Sequence, residues 1–322
     1  MKKPVPPKPK TLGEWAYLAI AKHFQKTVKQ EADVLKDRDP EALHQMRVGM
    51  RRLRSAIVGF APALDLPKAA KEKKIAKIAR ILGELRDLDV LKEAVEKKYK
   101  PYLPEIEQEC LETVLADLEK QRDHALQRVQ STLKDESYPH LKQAWQKWLN
   151  QPTYTEMAQL AIRNVLPDLL LPTVSQLFLH PGWLVGVEVK SGEIHLAKII
   201  NADGVEALLA SQGSVLHSLR KQTKRVRYQM ELFTEFYKPT YGDYVKDLKE
   251  IQRILGQIQD SVVLAEFINN VLKSESDSLL PTLTHQLAQA TYQSWQEWQP
   301  LHQKYLNHQT RQALHLALLK PI

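Results

Sequence analysis

Leu43, Met46, Met50, Leu53, Ile57 and Phe60 follow one another at three- and four-residue steps, the repeat of a helix with one face in a core. Leu216, Leu219, Val226, Met230 and Phe233 repeat the pattern later, interrupted by Thr223. Most of the remaining chain shares this period and predicts an all-α fold. Thr11 caps a first helix through Trp15, Leu18, Ile20 and Phe24 toward Leu35; Asp39 and Pro40 then open the second as N-cap and first residue. The second helix ends around Pro62 to Pro67, a third covers 68–98, and Pro101 and Pro104 break the pattern. A long charged helix runs on to about Lys134, and 138–149 forms another with Trp145 and Trp148.

Beyond Pro152 the reading is helical over 157–179, bent near Pro167 and Pro172, with a turn at 180–183. Residues 185–196 instead alternate about Ser191-Gly192 and predict a small β-hairpin insertion. A short helix at 205–210, a long one at 215–237, a turn at 238–242 and a helix at 243–273 follow. Helices at 280–297 and 300–319 complete the chain.

The two apolar stripes belong to a duplication. At an offset of 173 positions, His44 falls on His217, Arg47 on Arg220, Arg51 on Lys224, Arg52 on Arg225 and Arg54 on Arg227. Further along, Phe60 falls on Phe233, Lys73 on Lys246, Arg80 on Arg253, Leu82-Gly83 on Leu255-Gly256 and Asp87 on Asp260. An ungapped match over about fifty residues marks an internal repeat. The expected organisation is a basic, proline-rich disordered tail at 1–10, a first helical bundle at 11–151 and a second at 152–322.

Beside each apolar stripe lies a cationic one. His44, Arg47, Arg51 and Arg54 line up in the first copy, and His217, Arg220, Lys224 and Arg227 in the second. No carboxylate occurs between Glu41 and Asp65, so nothing along that stretch neutralises the row. Like charges one turn apart repel, so the rows are expected to await an external anion. Lys73, Lys77 and Arg80 give the third helix a further basic face, repeated by Lys246, Lys249 and Arg253.

Composition narrows the setting. Lys+Arg 46 against Asp+Glu 38 gives a formal charge of +8, modest overall but locally concentrated. The single cysteine, Cys110, excludes an internal disulfide and fits a reducing compartment. No apolar run is long enough for a membrane span, and the basic N-terminus lacks the apolar core of a secretion signal, so a cytoplasmic location is expected.

These motifs resemble the CHAD domain family: His44-x-x-Arg47-x-x-x-Arg51-Arg52-x-Arg54, Leu82-Gly83-x-x-Arg86-Asp87-x-Asp89-Val90, His217-x-x-Arg220-Lys221-x-x-Lys224-Arg225-x-Arg227-Tyr228-x-x-Glu231 and Leu255-Gly256-x-x-x-Asp260. The resemblance covers about 11–319 and implies two pseudo-twofold-related helical bundles whose basic rows face a shared groove or pore. It implies binding of inorganic polyphosphate without catalysis, and association with polyphosphate granules in cells. There are departures: Ser55 stands where the second copy has Tyr228, and Val262 where the first has Asp89.

The candidate polyphosphate contacts are His44, Arg47, Arg51, Arg54, Lys73, Lys77 and Arg80, with His217, Arg220, Lys224, Arg227, Tyr228, Lys246 and Arg253. Arginine forks onto two phosphate oxygens, lysine acts as a point charge, and a histidine titrating near neutrality would couple binding to pH. The bland reading of each histidine is a bond to a neighbouring carbonyl or carboxylate. Asp87, Asp89 and Asp260 are expected to pair with nearby cations, Gly83 and Gly256 to allow close helix contact, and the tryptophans of 145, 148, 295 and 298 to be core or interface. Two other function classes compete. An RNA binder would use the same charges, but the basic rows lack interleaved aromatics for base stacking. A phosphohydrolase would need a P-loop, an acidic metal-holding motif or paired carboxylates on the basic face, and none is present. No metal or other cofactor is expected, since no HxxxH or HExxH pair occurs; oligomeric state is left open.

Overall fold

A computed structural model describes residues 9–190, 193–197, 201–273 and 275–322. The tail read over 1–10 falls mostly outside these residues, as does the Ser191-Gly192 turn. The chain divides into two compact units: the described residues up to Asp89 with Gln121–Leu166, and Val90–Lys120 with Pro167–Ile322. Among the described residues, no helix is long and apolar enough to cross a membrane.

In the first unit, α1 (Leu12–Lys29) starts at a capping box: Thr11 Oγ1 accepts from Glu14 N, and the Glu14 carboxylate accepts from Thr11 N at 3.0 Å. The helix expected to reach Leu35 breaks at Gln30 and resumes as α2 (Glu31–Lys36), which ends on Asp37 in the left-handed region at φ 48. Asp39 caps α3 (Pro40–Gly59) by accepting from Glu41 N at 2.8 Å, with Pro40 in the first turn. Next come 3-10 turns at Ala61–Ala63 and Lys68–Ala70, then α4 (Glu72–Glu93). Past α4 the helix widens to π geometry over Ala94–Tyr99 and ends in a 3-10 turn at Lys100–Tyr102, short of the expected continuation to 98 in α form. The chain continues through α5 (Glu105–Lys134), α6 (Ser137–Asn150) and α7 (Ile162–Phe178).

The predicted stripe is the core of the first unit. Leu43, Met46, Met50, Leu53, Ile57 and Phe60 are all buried. Trp145 and Trp148 are buried too, and their rings meet edge-on at 5.7 Å. Helices α1 and α3 approach closely at Gly49, where an added Cβ would stand 2.5 Å from Thr27 Oγ1 and 3.1 Å from Thr27 Cα. Gly49→Ala should therefore cost about 1–2 kcal/mol despite alanine's better helix propensity, because the added methyl meets the Thr27 hydroxyl with the Thr27 backbone close behind it; a urea melt measures it.

The second unit holds the expected hairpin, β1 (Val187–Lys190) antiparallel to β2 (Glu193–Leu196), with Val187 opposite Leu196. Three boundaries differ from expectation. The helices read at 205–210 and 215–237 are one, α8 (Ala202–Leu232): Ser211 Oγ bonds back to the Leu208 carbonyl at 3.0 Å, and Gly213 does not interrupt it. The turn read at 238–242 is the first turn of α9 (Pro239–Val271), with Pro239 where no N–H is needed. After α10 (Ser276–Leu279), α11 (Pro281–Leu306) runs straight through Pro300. Pro300 and Gln296 are both exposed, so the carbonyl that loses its partner faces water. The start of α11 is held by Glu107, 5% exposed, whose carboxylate accepts from Thr282 N and Leu283 N at 3.0 and 3.1 Å. A last helix, α12 (His308–Leu318), closes the unit. Leu216, Leu219, Val226, Met230, Phe233, Trp295 and Trp298 are buried, and so is Thr223.

Candidate polyanion-binding faces

Each unit builds the same local contact between its repeated helices. In the first, the Arg47 guanidinium donates to the Gly83 carbonyl at 2.8 Å and to Asp87 Oδ1 at 2.9 Å. In the second, Arg220 lies on Gly256, where an added Cβ would stand 3.2 Å from Nη2 and 3.3 Å from Nε. The Leu-Gly pair thus seats an arginine on the face of the next helix; at Gly256 the close fit accounts for a glycine inside a helix at a cost of about 1 kcal/mol, whereas at Gly83 an added Cβ would stand an ordinary 3.8 Å from Arg47. Arg220 Nε is buried and has no hydrogen-bond partner among the described residues.

The rows are less open than the spacing suggested. Arg54 Nε donates to Glu72 Oε1 at 2.6 Å, so Glu72 and Asp87 of α4 engage two members of the first row. Arg227 is 7% exposed, bonds Gln252 Oε1 at 2.9 Å, pairs with Glu231 and sits 4.1 Å over the Tyr228 ring. Tyr228 itself is buried. Lys246 pairs with Asp243 at 2.9 Å, and Arg253 with Glu250 and Glu297 at 2.6 and 2.5 Å. The expectation of rows without internal partners is corrected at these positions, because acids three or four residues away on the same helix, or on a helix packed alongside, answer the charge. Arg51 and Lys224 are half-buried.

Lys73, Lys77 and Arg80 of α4 are different: all are exposed, and none forms an ion pair among the described residues. Lys68, Lys71 and Lys74 extend this cluster on the same terms, while Glu72, the acid among them, is occupied by Arg54. Those three lysines lay in the charge run visible in the sequence.

Both histidines are half-buried with depressed pKa values. For His44 the main cause is desolvation, with Arg86, Arg51 and Arg47 acting in the same sense and Glu41 against it. For His217 it is again desolvation, then Lys221, Arg220 and Lys224, opposed by a hydrogen bond that the ring donates to Gln259. Both imidazoles are therefore neutral at neutral pH, and the expected charge gain near neutrality moves to more acidic conditions.

Sequence reading missed the node around Arg122, whose guanidinium takes Asp37 through two bonds of 2.8 Å and Asp89 Oδ1 at 2.9 Å. Asp89 lies 3.9 Å from Arg86, and as expected Asp87 and Asp89 serve as partners of cations. Nothing along the chain announces contacts spanning so many residues. Among the described residues, no group of three or more His, Cys, Asp or Glu could hold a metal ion.

A family model of the CHAD domain matches residues 18–269. Two uncharacterized proteins of Mycobacterium tuberculosis, from strains CDC 1551 and H37Rv, are each 25% identical over 231 residues, 71% of this chain. The chain spans only 40% of the length of these curated relatives. The crystal structure of the CHAD domain from the plant Ricinus communis aligns at a TM-score of 0.60 and 21% identity, covering 99% of this chain and 97% of that one. PptA from Streptomyces chartreusis aligns at 0.65 and 14% identity, covering 92% and 100%. At these identities the two structures speak for the fold alone.

Proposed function

The chain belongs to the CHAD family, and from that premise we propose that it binds inorganic polyphosphate through the cationic faces of its two units, without catalysis. In cells this binding would carry the protein to polyphosphate granules. The observation that carries the reading is the α4 face: Lys73, Lys77 and Arg80 exposed, one or two turns apart, with no carboxylate answering them among the described residues. Polyphosphate has a negative charge on every unit and no base to read, so it requires repeated cations and little else. Half-buried Arg220 and the half-buried, neutral His44 and His217 add hydrogen-bond donors along α3 and α8. Charge alone would also suit RNA. However, the aromatic ring within the second row, Tyr228, is buried under Arg227 and offers no stacking surface.

Competition decides between the two polymers. Labelled long-chain polyphosphate bound to the full chain should resist displacement by single-stranded RNA at matched phosphate concentration. Tighter binding of RNA would overturn the assignment, and phosphate release on adding magnesium would replace binding with hydrolysis.

A further inference from the structure

The second unit encloses a half-open cavity of about 680 Å³ between α8, α9, α10 and α11. Its floor is apolar: Leu255, Ile258, Ile268, Leu280 and Leu283 line it, each 3% exposed or less. No lysine or arginine is among the residues that line it, although it starts where the second basic row ends, at His217. Instead Glu206, Glu266 and Asp277 line it, all exposed to solvent, so they stand at its mouth. None of these three carboxylates forms an ion pair among the described residues.

The duplication explains why space is left here. At the repeat offset, Gln259 and Val262, both lining residues, occupy the positions of Arg86 and Asp89. In the first unit Arg86 and Asp89 belong to the ionic cluster closed by Arg122. The second unit has a shorter neutral amide and a valine instead, and the cluster's counterpart is an apolar hollow. A concave, mostly apolar site of this size with a few converging polar groups has the dimensions of a small-molecule pocket.

We infer that this cavity binds a small organic amine, its aliphatic or aryl body against Leu255, Ile258 and Leu283 and its ammonium among Glu206, Glu266 and Asp277. The charge pattern selects the class: the mouth attracts a cation and repels the phosphates expected along the neighbouring row. The site is independent of the polyphosphate reading.

The test uses phenylbutylamine, phenylbutanol and phenylbutyrate with the full chain at neutral pH, followed by saturation-transfer NMR and calorimetry. The amine should bind saturably and about tenfold more tightly than the alcohol, with the carboxylate weakest. Val262→Trp should abolish binding by filling the hollow. The triple variant E206Q/E266Q/D277N, whose changes are all at exposed positions, should lower the amine to the affinity of the alcohol while circular dichroism stays unchanged. Equal binding of amine and carboxylate, absence of amine binding at millimolar concentration, or an amine preference that survives the triple variant would each overturn the proposal.

Discussion

The triple variant K73E/K77E/R80E should bind polyphosphate about a hundredfold more weakly than the natural chain at low salt, at roughly 1 kcal/mol or more lost per reversed contact. All three side chains are exposed and make no ion pair among the described residues, so the substitutions leave the packing of α4 alone. The salt dependence gives a second, independent readout. Each cation that neutralises a phosphate contributes about 0.7 to the slope of log affinity against log salt, so losing three should flatten it by about 2. Lys246→Glu is the matched control: it is equally exposed but already paired with Asp243, so its reversal should change affinity far less. Calorimetry at two salt concentrations measures both quantities, and circular dichroism confirms the helix content. Wild-type affinity in the triple variant would remove the α4 face from the site, and an equal loss in K246E would reduce the effect to net charge.

The contrast between Lys73 and Lys246 shows how far the chain could be read directly. Apolar spacing along α3 and α8 identified the buried side chains because a helix presents every third or fourth residue to the same neighbour, whatever that neighbour is. The caps at Thr11 and Asp39 were legible for the same reason: their partners lie within three residues. Ion pairing is only partly local: Asp243 lies three residues from Lys246, but other partners come from distant helices. Arg54 and Glu72 are brought together only when α3 packs on α4, and Arg122 reaches Asp37 only through the fold. A row that is unopposed along its own helix can therefore be opposed in space. The expected break at Pro300 is absent for a related reason: the proline and Gln296 lie on the exposed side of α11, where the orphaned carbonyl can reach water. Likewise, Val262 was visible as a departure from the repeat, but the hollow beside it was not, because a cavity exists only once four helices surround it.

Acid should destabilise both units well before their carboxylates are the main cause, through two histidines outside the basic rows. In the second unit His302 is fully buried, and its ring stacks 4.8 Å from Trp298 and hydrogen-bonds the Trp183 carbonyl through Nε2 at 2.6 Å. That bond makes Nε2 the protonated nitrogen and leaves Nδ1 bare, with no partner. Protonating Nδ1 would place a charge in an aromatic pocket near Arg311; desolvation first, then that arginine, lower its pKa to about 4, against the opposing pull of the Trp183 carbonyl. In the first unit His23, 6% exposed, is likewise held at about 4 by desolvation, then by Arg52, Lys22 and Lys26.

A histidine that protonates near 6.5 when unfolded and near 4 when folded binds more protons in the unfolded chain at every pH between those values. Its contribution to stability is complete above about 6.5 and drains away as pH falls toward 4, amounting to about 2.5 kcal/mol per histidine by pH 4.5. Urea melts at neutral pH and at about 4.5 should show this loss. In H23Q/H302Q, a glutamine amide can keep the donor to the Trp183 carbonyl but cannot titrate, so the variant should lose stability at neutral pH and much less on acidification. An unchanged acid response in the double variant would assign the sensitivity to the carboxylate pairs of the surface, and the two buried imidazoles would then be accommodating a proton that their surroundings are built to refuse.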